Sequence, residues 1–516
     1  MNGAEAFVQT LKDCGVEVCF ANPGTSEMQL VAAVDRTHGM RAILGLFEGV
    51  VTGAADGYGR MADKPAITLL HLGPGLGNGL ANLHNARKAG SPVINMVGDH
   101  ATYHLHYDAP LTSDAAGVAR PMSDWVRTSK SNRDLAQAGA EAFGMVMGGY
   151  PGKIATVIVP ADHAWSEGSA PVAPPVIPAP PQAPQAAIAA AAEALKTGSG
   201  PKCLFLGGRS LREDALIQAG RIAAATGCRL VAETFSTRHQ RGAGRVAVEK
   251  LPYFGEQAEA FLKEFETIVF CGAEPPVSFF AYPDKPSWLS PPDANLVRLA
   301  SLREDALAAL TGLADALGAP AEPALIQAAT SFAAEPGKLN SASVGAILAE
   351  LLPENAIVSD EGATQGGASM LMCAGAAKHD WLQLTGGSIG QGLPLAVGAA
   401  VACADRKVIA LHGDGGAMYT NQALWTMARE QLDVTTIILN NGSYAILNIE
   451  LMRVGVQNPG PKALSMLDLR NPAINWTQIS EGMGVPATRC ETAEEFRAAL
   501  AEAIAHKGPR LIEAML

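Results

Sequence analysis

HGDGGAMYTNQALWTMAREQLDVTTIILNNGSYAIL, residues 412–447, decides how the chain folds. KVIAL at 407–411 reads as a strand, Tyr419–Glu430 as a helix and VTTIIL as the next strand, which makes one βαβ unit of a parallel sheet. Asp414 and the pair Asn440–Asn441 then fall at the carboxyl ends of neighbouring strands. Loop N–H groups and helix N-termini gather positive potential there, and doubly wound sheets bind their ligands there. A hard divalent cation with octahedral oxygen coordination could take the Asp414 carboxylate, the Asn441 amide oxygen and a backbone carbonyl of the following turn, with phosphate oxygens and water completing the shell. GDGG or NNG alone is ordinary turn composition. One unit apart at two strand ends, they point together to a cation held against phosphate.

The same rhythm runs outward from this unit. Before it come VGAILAELLP, AIVSD and a glycine-rich stretch at Gly386–Gly392, and after it LIEAML. The first third alternates VEVCFA, a helix around Glu27–Asp35, AITLLHL, a helix around Asn82–Ala89, VINMVGD and IATVIVP. The middle third restarts with AAIAAAAEALK, CLFLGG, DALIQAGRIAAATG, RLVAE and TIVFCGAE. Between the first two, SAPVAPPVIPAPPQAPQ carries prolines from Pro171 to Pro184 and reads as a stiff linker. The fold class expected is therefore α/β, with three doubly wound parallel-sheet domains at 1–168, 189–335 and 340–516 and a proline-rich linker at 169–188.

Composition agrees with this reading and removes several alternatives. The chain has 516 residues, 48% hydrophobic and 17% charged, enough for about three packed domains. The formal charge of −12 repels polyanions, so nucleic acid is not an expected partner. Eight scattered cysteines without a C-x-x-C pair suit a reducing cytoplasm. No signal-like start or long apolar run is present, so no membrane association is expected. LHLGPGLGNG and CLFLGGRSLRED both miss the G-x-G-x-x-G spacing, which leaves a nicotinamide dehydrogenase as a remote alternative.

The 412–447 segment resembles the GDG…NN signature of thiamine diphosphate enzymes. The resemblance extends through NPGTSE at Asn22–Glu27, FEGVVTGAADGYGR at Phe47–Arg60, LHLGPGLGNG at Leu70–Gly79 and GGSIGQGLPLAVGAA at Gly386–Ala400. It is strongest to benzoylformate decarboxylase and the acetolactate synthase large-subunit group. It implies thiamine diphosphate and Mg²⁺ as cofactors, with Asp414, Asn441 and the backbone oxygen of Ser443 holding the metal. The positions matched to cofactor binding are Asn22, Pro23, Gly24, Glu48, Gly387, Ser388, Ile389, Gly413, Asp414, Gly415, Gly416, Asn441, Ser443, Tyr444 and Ala445. Glu48 would bond the aminopyrimidine ring and promote its imino form, for which a desolvated carboxyl among Leu46, Phe47 and Val50 is suited. Ile389 would wedge beneath the folded cofactor.

The catalytic positions implied are Glu48 and His71, and a histidine is the side chain suited to move protons near neutral pH. The substrate pocket would draw on His71, His100, His104, Ile446 and Glu450. Three positions depart from known patterns. SFFAYPD surrounds Ala281 where benzoylformate decarboxylase has a second histidine, Glu450 stands where acetolactate synthases have a tryptophan, and Leu447 where pyruvate decarboxylases have a glutamate. The ETFSTRHQRGAGRVAVEKLPYF segment matches no flavin-binding pattern, so FAD is left open and not expected. The reaction implied is acetolactate synthase-like decarboxylation and carboligation of a 2-oxo acid through an enamine. The GPG at 73–75 and Asp108–Ala109 favour it over benzoylformate decarboxylase-like decarboxylation, and intact Glu48, Asp414 and Asn441 argue against an inactive relative. A homodimer or homotetramer with active sites between subunits is also implied.

Overall fold

A computed structural model describes residues 1–149, 152–197 and 200–516. Three sheets, almost entirely parallel, are built in chain order. The first has the spatial order Arg41–Leu44, Val18–Asn22, Ala66–Leu70, Val93–Asp99, Ile154–Pro160, Trp125–Thr128. Every residue of Ala66–Leu70, Val93–Asp99 and Ile154–Pro160 is buried, which is why these strands read as mostly apolar runs and not as alternation. Their inner polar residues pair with one another, Thr68 with Asn95 and Asn95 with Thr156. The second sheet runs Glu249–Lys250, Arg229–Ala232, Lys202–Leu206, Thr267–Cys271, Asn295–Ala300.

The third sheet runs Ala487–Cys490, Arg510–Met515, Val434–Asn440, Val408–Gly413, Ala356–Glu361, His379–Gln383, His239–Arg241. Its last strand is antiparallel and comes from the middle third of the chain, so that third contributes to two sheets. The joint is reinforced by Asp380, which takes Arg238 at 2.7 Å from the same middle segment and Arg406 from the bend before Val408–Gly413. From 168 to 184 the chain has neither helix nor strand. It lies along the first unit, with the Val172 N–H donating to Thr10 Oγ1 at 3.1 Å.

The first and third units share one hydrophobic core. Its centre is the crossing of helix Glu48–Ala62 with helix Gly392–Ala402. A Cβ on Gly57 would come within 2.1 Å of the Leu395 carbonyl oxygen, and one on Gly398 within 1.9 Å of that of Ala54. The two backbones touch, and glycine is the only residue that fits there.

Two helices differ from the sequence expectation. The glycines before Asn82 do not form a loop, because one helix spans Leu72–Ala89. Each interior glycine costs about 1 kcal/mol relative to alanine. The cost is offset by close packing, since a Cβ on Gly79 would sit 2.8 Å from Thr52 Cγ2. The segment expected as helix Tyr419–Glu430 is instead a short turn of helix at Asp414–Ala417 followed by helix Ala423–Glu430. Among the described residues no helix is long and apolar enough to cross a membrane.

Candidate active site

Asp414 opens the short helix at the end of Val408–Gly413 and is 3% exposed. Burial pushes its carboxyl up from the usual range, against the N–H groups of Gly415 and Gly442 that favour the charged form. Its Oδ2 accepts the Gly442 N–H at 3.0 Å, and Asn441 Oδ1 accepts the Ser443 N–H at 3.0 Å. Both side chains therefore converge on one turn. The neighbouring Asn440 points inward and donates to Glu513 at 2.7 Å. The turn is pinned by Ser443 Oγ, which donates to the Leu467 carbonyl at 3.0 Å and accepts from Asn448. Tyr444 lies against Gly415, where a Cβ would be 2.4 Å from its ring.

Among the described residues no cluster of three His, Cys, Asp or Glu side chains could hold a metal. Asp414 with Asn441 offers one carboxylate and one amide oxygen, which is a donor set for a hard cation that shares its shell with phosphate oxygens. These residues fit Mg²⁺ on a diphosphate.

The loop carrying Ile389 is fixed on both sides. Ser388 exchanges hydrogen bonds with Asn85, whose Nδ2 donates to the Ser388 carbonyl at 2.7 Å. Gly390 donates to Glu361 Oε1 at 2.6 Å and accepts from Thr420 at 2.7 Å. Gly387 has φ +74° and faces Phe279, whose Cζ would be 2.4 Å from an added Cβ. Glu361 also accepts the Gly392 N–H at 2.7 Å and lies 3.2 Å from His412 Nε2. Burial disfavours charge on His412, but Glu361 prevails and raises its pKa above the usual value. Sequence reading gave no role to Glu361, which lies outside the quoted motifs, or to His412, which opens the GDG segment.

In the first unit, Glu48 begins helix Glu48–Ala62 and is 7% exposed. Its Oε2 accepts from Asn78 Nδ2 at 3.0 Å, and its Oε1 lies beside Gly75. His71 Cβ lies against the same face of Gly75, 3.2 Å from where a Cβ would stand. Asn22, Pro23 and Gly24 leave the end of Val18–Asn22, and the His71 ring rests on Gly24, 2.2 Å from where a Cβ would stand. His71 Nδ1 is 2.7 Å from Glu27 Oε2. Glu27 and Asn78 also escaped sequence reasoning, although both lie inside the quoted motifs. Asn82 Nδ2 joins the two halves, donating to the Gly49 carbonyl at 2.8 Å and reaching that of Gly390 at 3.4 Å.

The expected pocket residues divide into separate groups. The His100 and His104 ring centroids lie 5.4 Å apart with the rings tilted by 54°, and the buried Nε2 of His100 lacks a partner. Glu450 is held by the Tyr282 hydroxyl at 2.7 Å. The SFFAYPD segment meets helix Ala445–Arg453 through Tyr282 and the Gly387 loop through Phe279. Helix Ala445–Arg453, which carries Ile446 and Glu450, has no buried residue.

Residues 1–119 match the thiamine pyrophosphate enzyme N-terminal TPP binding domain, and residues 362–514 match the C-terminal TPP binding domain. A Mycobacterium tuberculosis protein named "Putative acetolactate synthase large subunit IlvX" is 51% identical, covering 100% of this chain and 99% of that one. Benzoylformate decarboxylase of Pseudomonas aeruginosa is 28% identical over 98% of this chain and 97% of that one. The thiamine diphosphate-dependent 4-hydroxybenzoylformate decarboxylase of Rhodococcus jostii superposes with a TM-score of 0.87 at 25% identity, covering 100% and 99% of the two chains. The fold, the two matched domains and the 51% identity along the whole chain agree, and the chain belongs to the thiamine diphosphate-dependent enzyme family.

Proposed function

We propose that the chain uses thiamine diphosphate and Mg²⁺ to decarboxylate a 2-oxo acid and join the remaining fragment to a second carbonyl compound, in the manner of an acetolactate synthase. The observation that carries the reading is the convergence of Asp414 and Asn441 on the Gly442–Ser443 turn. The name of the 51% identical relative favours carboligation. Bound thiamine diphosphate would supply a carbon nucleophile for the ketone carbon and an electron sink once CO₂ leaves.

The chain's own residues have distinct tasks. Asp414, Asn441 and the Ser443 backbone oxygen hold the metal on the diphosphate, with Gly413, Gly415, Gly416, Tyr444 and Ala445 around it. Glu48 holds a proton at the aminopyrimidine ring nitrogen in a nearly dry environment. Ile389, its loop fixed through Ser388 and Gly390, would lie against the cofactor and help to hold it. His71 moves protons at the substrate, while Ile446 and Glu450 border the pocket.

A second reading, decarboxylation alone with release of an aldehyde, is favoured by His71, which by its motif would stand for the benzoylformate decarboxylase histidine. The unburied helix Ala445–Arg453 supports a homodimer or homotetramer whose subunits complete each other's sites. The test is a parallel assay of CO₂, aldehyde and acetolactate from pyruvate and from benzoylformate with both cofactors supplied. Acetolactate is the expected product. Aldehyde alone supports the second reading, and no CO₂ from either acid refutes both.

A further inference from the structure

We propose that Glu27 is a positioning residue for His71, fixing which imidazole nitrogen faces the substrate. The inference rests on the reading of His71 as the proton-transfer group. Glu27 has no exposed surface. Its Oε2 accepts the Gly24 N–H at 2.7 Å and lies 2.7 Å from His71 Nδ1. Its Oε1 has no partner and presses on Gly98, where a Cβ would be 1.8 Å away. A carboxylate buried to this degree is tolerated only against donors, and an ionised carboxylate can only accept. The hydrogen of the neutral imidazole therefore sits on Nδ1.

Nε2 is then the nitrogen left to exchange a proton. His71 keeps 24% of its side chain exposed, enough to reach a ligand while its inner edge is held. Gly24 allows the ring to lie on the backbone, and Leu72, in the left-handed region at φ +48°, turns the chain sharply after it. When the imidazolium gives its Nε2 proton to the substrate, it reverts to neutral imidazole with Nδ1–H retained, and a proton taken up from solvent restores Nε2–H. The other titratable groups around the pair are Glu48 across Gly75, and Asp99 and His100 just beyond Gly98.

The arrangement is that of a histidine oriented by a buried acid, in which loss of the orienting group reduces turnover by about 10- to 10⁴-fold. The test is Glu27→Gln in the holoenzyme, with ¹⁵N-histidine spectra of wild type and variant without cofactor, His71 being assigned by its absence in His71→Gln. The expected result is an Nδ1–H tautomer in wild type, a mixture in Glu27→Gln, and a kcat at least about tenfold lower with KM little changed. An Nε2–H tautomer in wild type overturns the proposal, as does a Glu27→Gln enzyme with unchanged tautomer and kcat. If Glu27→Gln does not fold, the wild-type tautomer decides alone. If His71→Gln is as active as wild type, it is the proton-transfer role of His71 that fails, and the spectra still judge the pairing.

Discussion

Asn78 donates its side-chain N–H to Glu48 Oε2 at 3.0 Å, across the interface of two helices that both begin at strand ends. Glu48 thus has one oxygen engaged and the other beside Gly75, open only because that position has no side chain. Asn78→Leu removes the donor at similar size. Hydrogen bonds to charged groups are worth about 1.5–3 kcal/mol, so kcat should fall by roughly 10- to 100-fold while thiamine diphosphate still binds. Glu48→Gln should abolish turnover and also leave the cofactor bound, as titration would establish. Near-normal activity in Glu48→Gln would contradict its assignment.

Asp414→Ala should act on affinity instead. Removing the single carboxylate of the proposed metal site should weaken cofactor binding at fixed Mg²⁺ by at least about tenfold. Calorimetric titration with thiamine diphosphate, with and without a chelator, checks this. An unchanged isotherm would remove Asp414 from the site.

The helix crossing between the first and third units should be intolerant of any side chain. Gly398→Val drives carbon into the Ala54 carbonyl and should destabilise the chain by about 1–3 kcal/mol or more through overpacking. A lower thermal midpoint without loss of secondary structure is expected. An unchanged midpoint would mean that the two helices do not touch there.

Asp380 predicts an acid limit on the joint between the middle segment and the third sheet. Burial alone would push its carboxyl up, but Arg238 and Arg406 hold it below the usual carboxylate range. A depressed folded-state pKa gives stability that is present above the unfolded value and lost as pH falls through the folded one. Breaking a buried pair by removing one partner costs about 3–5 kcal/mol. Asp380→Asn should therefore lower the unfolding midpoint at pH 7, and the gap to wild type should close in acid.

The Tyr282 hydroxyl bound to Glu450 predicts a change confined to the substrate side. Tyr282→Phe should alter KM for the 2-oxo acid by about tenfold, the value of one hydrogen bond to a charged group, without altering cofactor affinity. Equal shifts in both constants would place this pair in the cofactor cradle instead.

What could be read from the sequence depended on whether the signal was local. The GDG…NN unit was legible because strand, turn and strand follow one another within a single βαβ unit. The stretch 168–184 without helix or strand was legible because proline disfavours both, while the helix from Gln185 begins inside the expected linker. Helix Leu72–Ala89 was not, because its glycines look like a loop until the helix packed against them is known. Glu27 hid in plain view, since its partner His71 is distant in the chain and the two meet only when neighbouring strands align. Glu361 and His412 escaped for the same reason, on adjacent strands with no motif between them.

The strand His239–Arg241 bears on any attempt to dissect this enzyme. A fragment starting at the last domain would leave the backbone of His379–Gln383 uncapped, and a bare sheet margin recruits other chains. Such a truncation should precipitate or self-associate, whereas one that retains the borrowed three residues in place should stay dispersed.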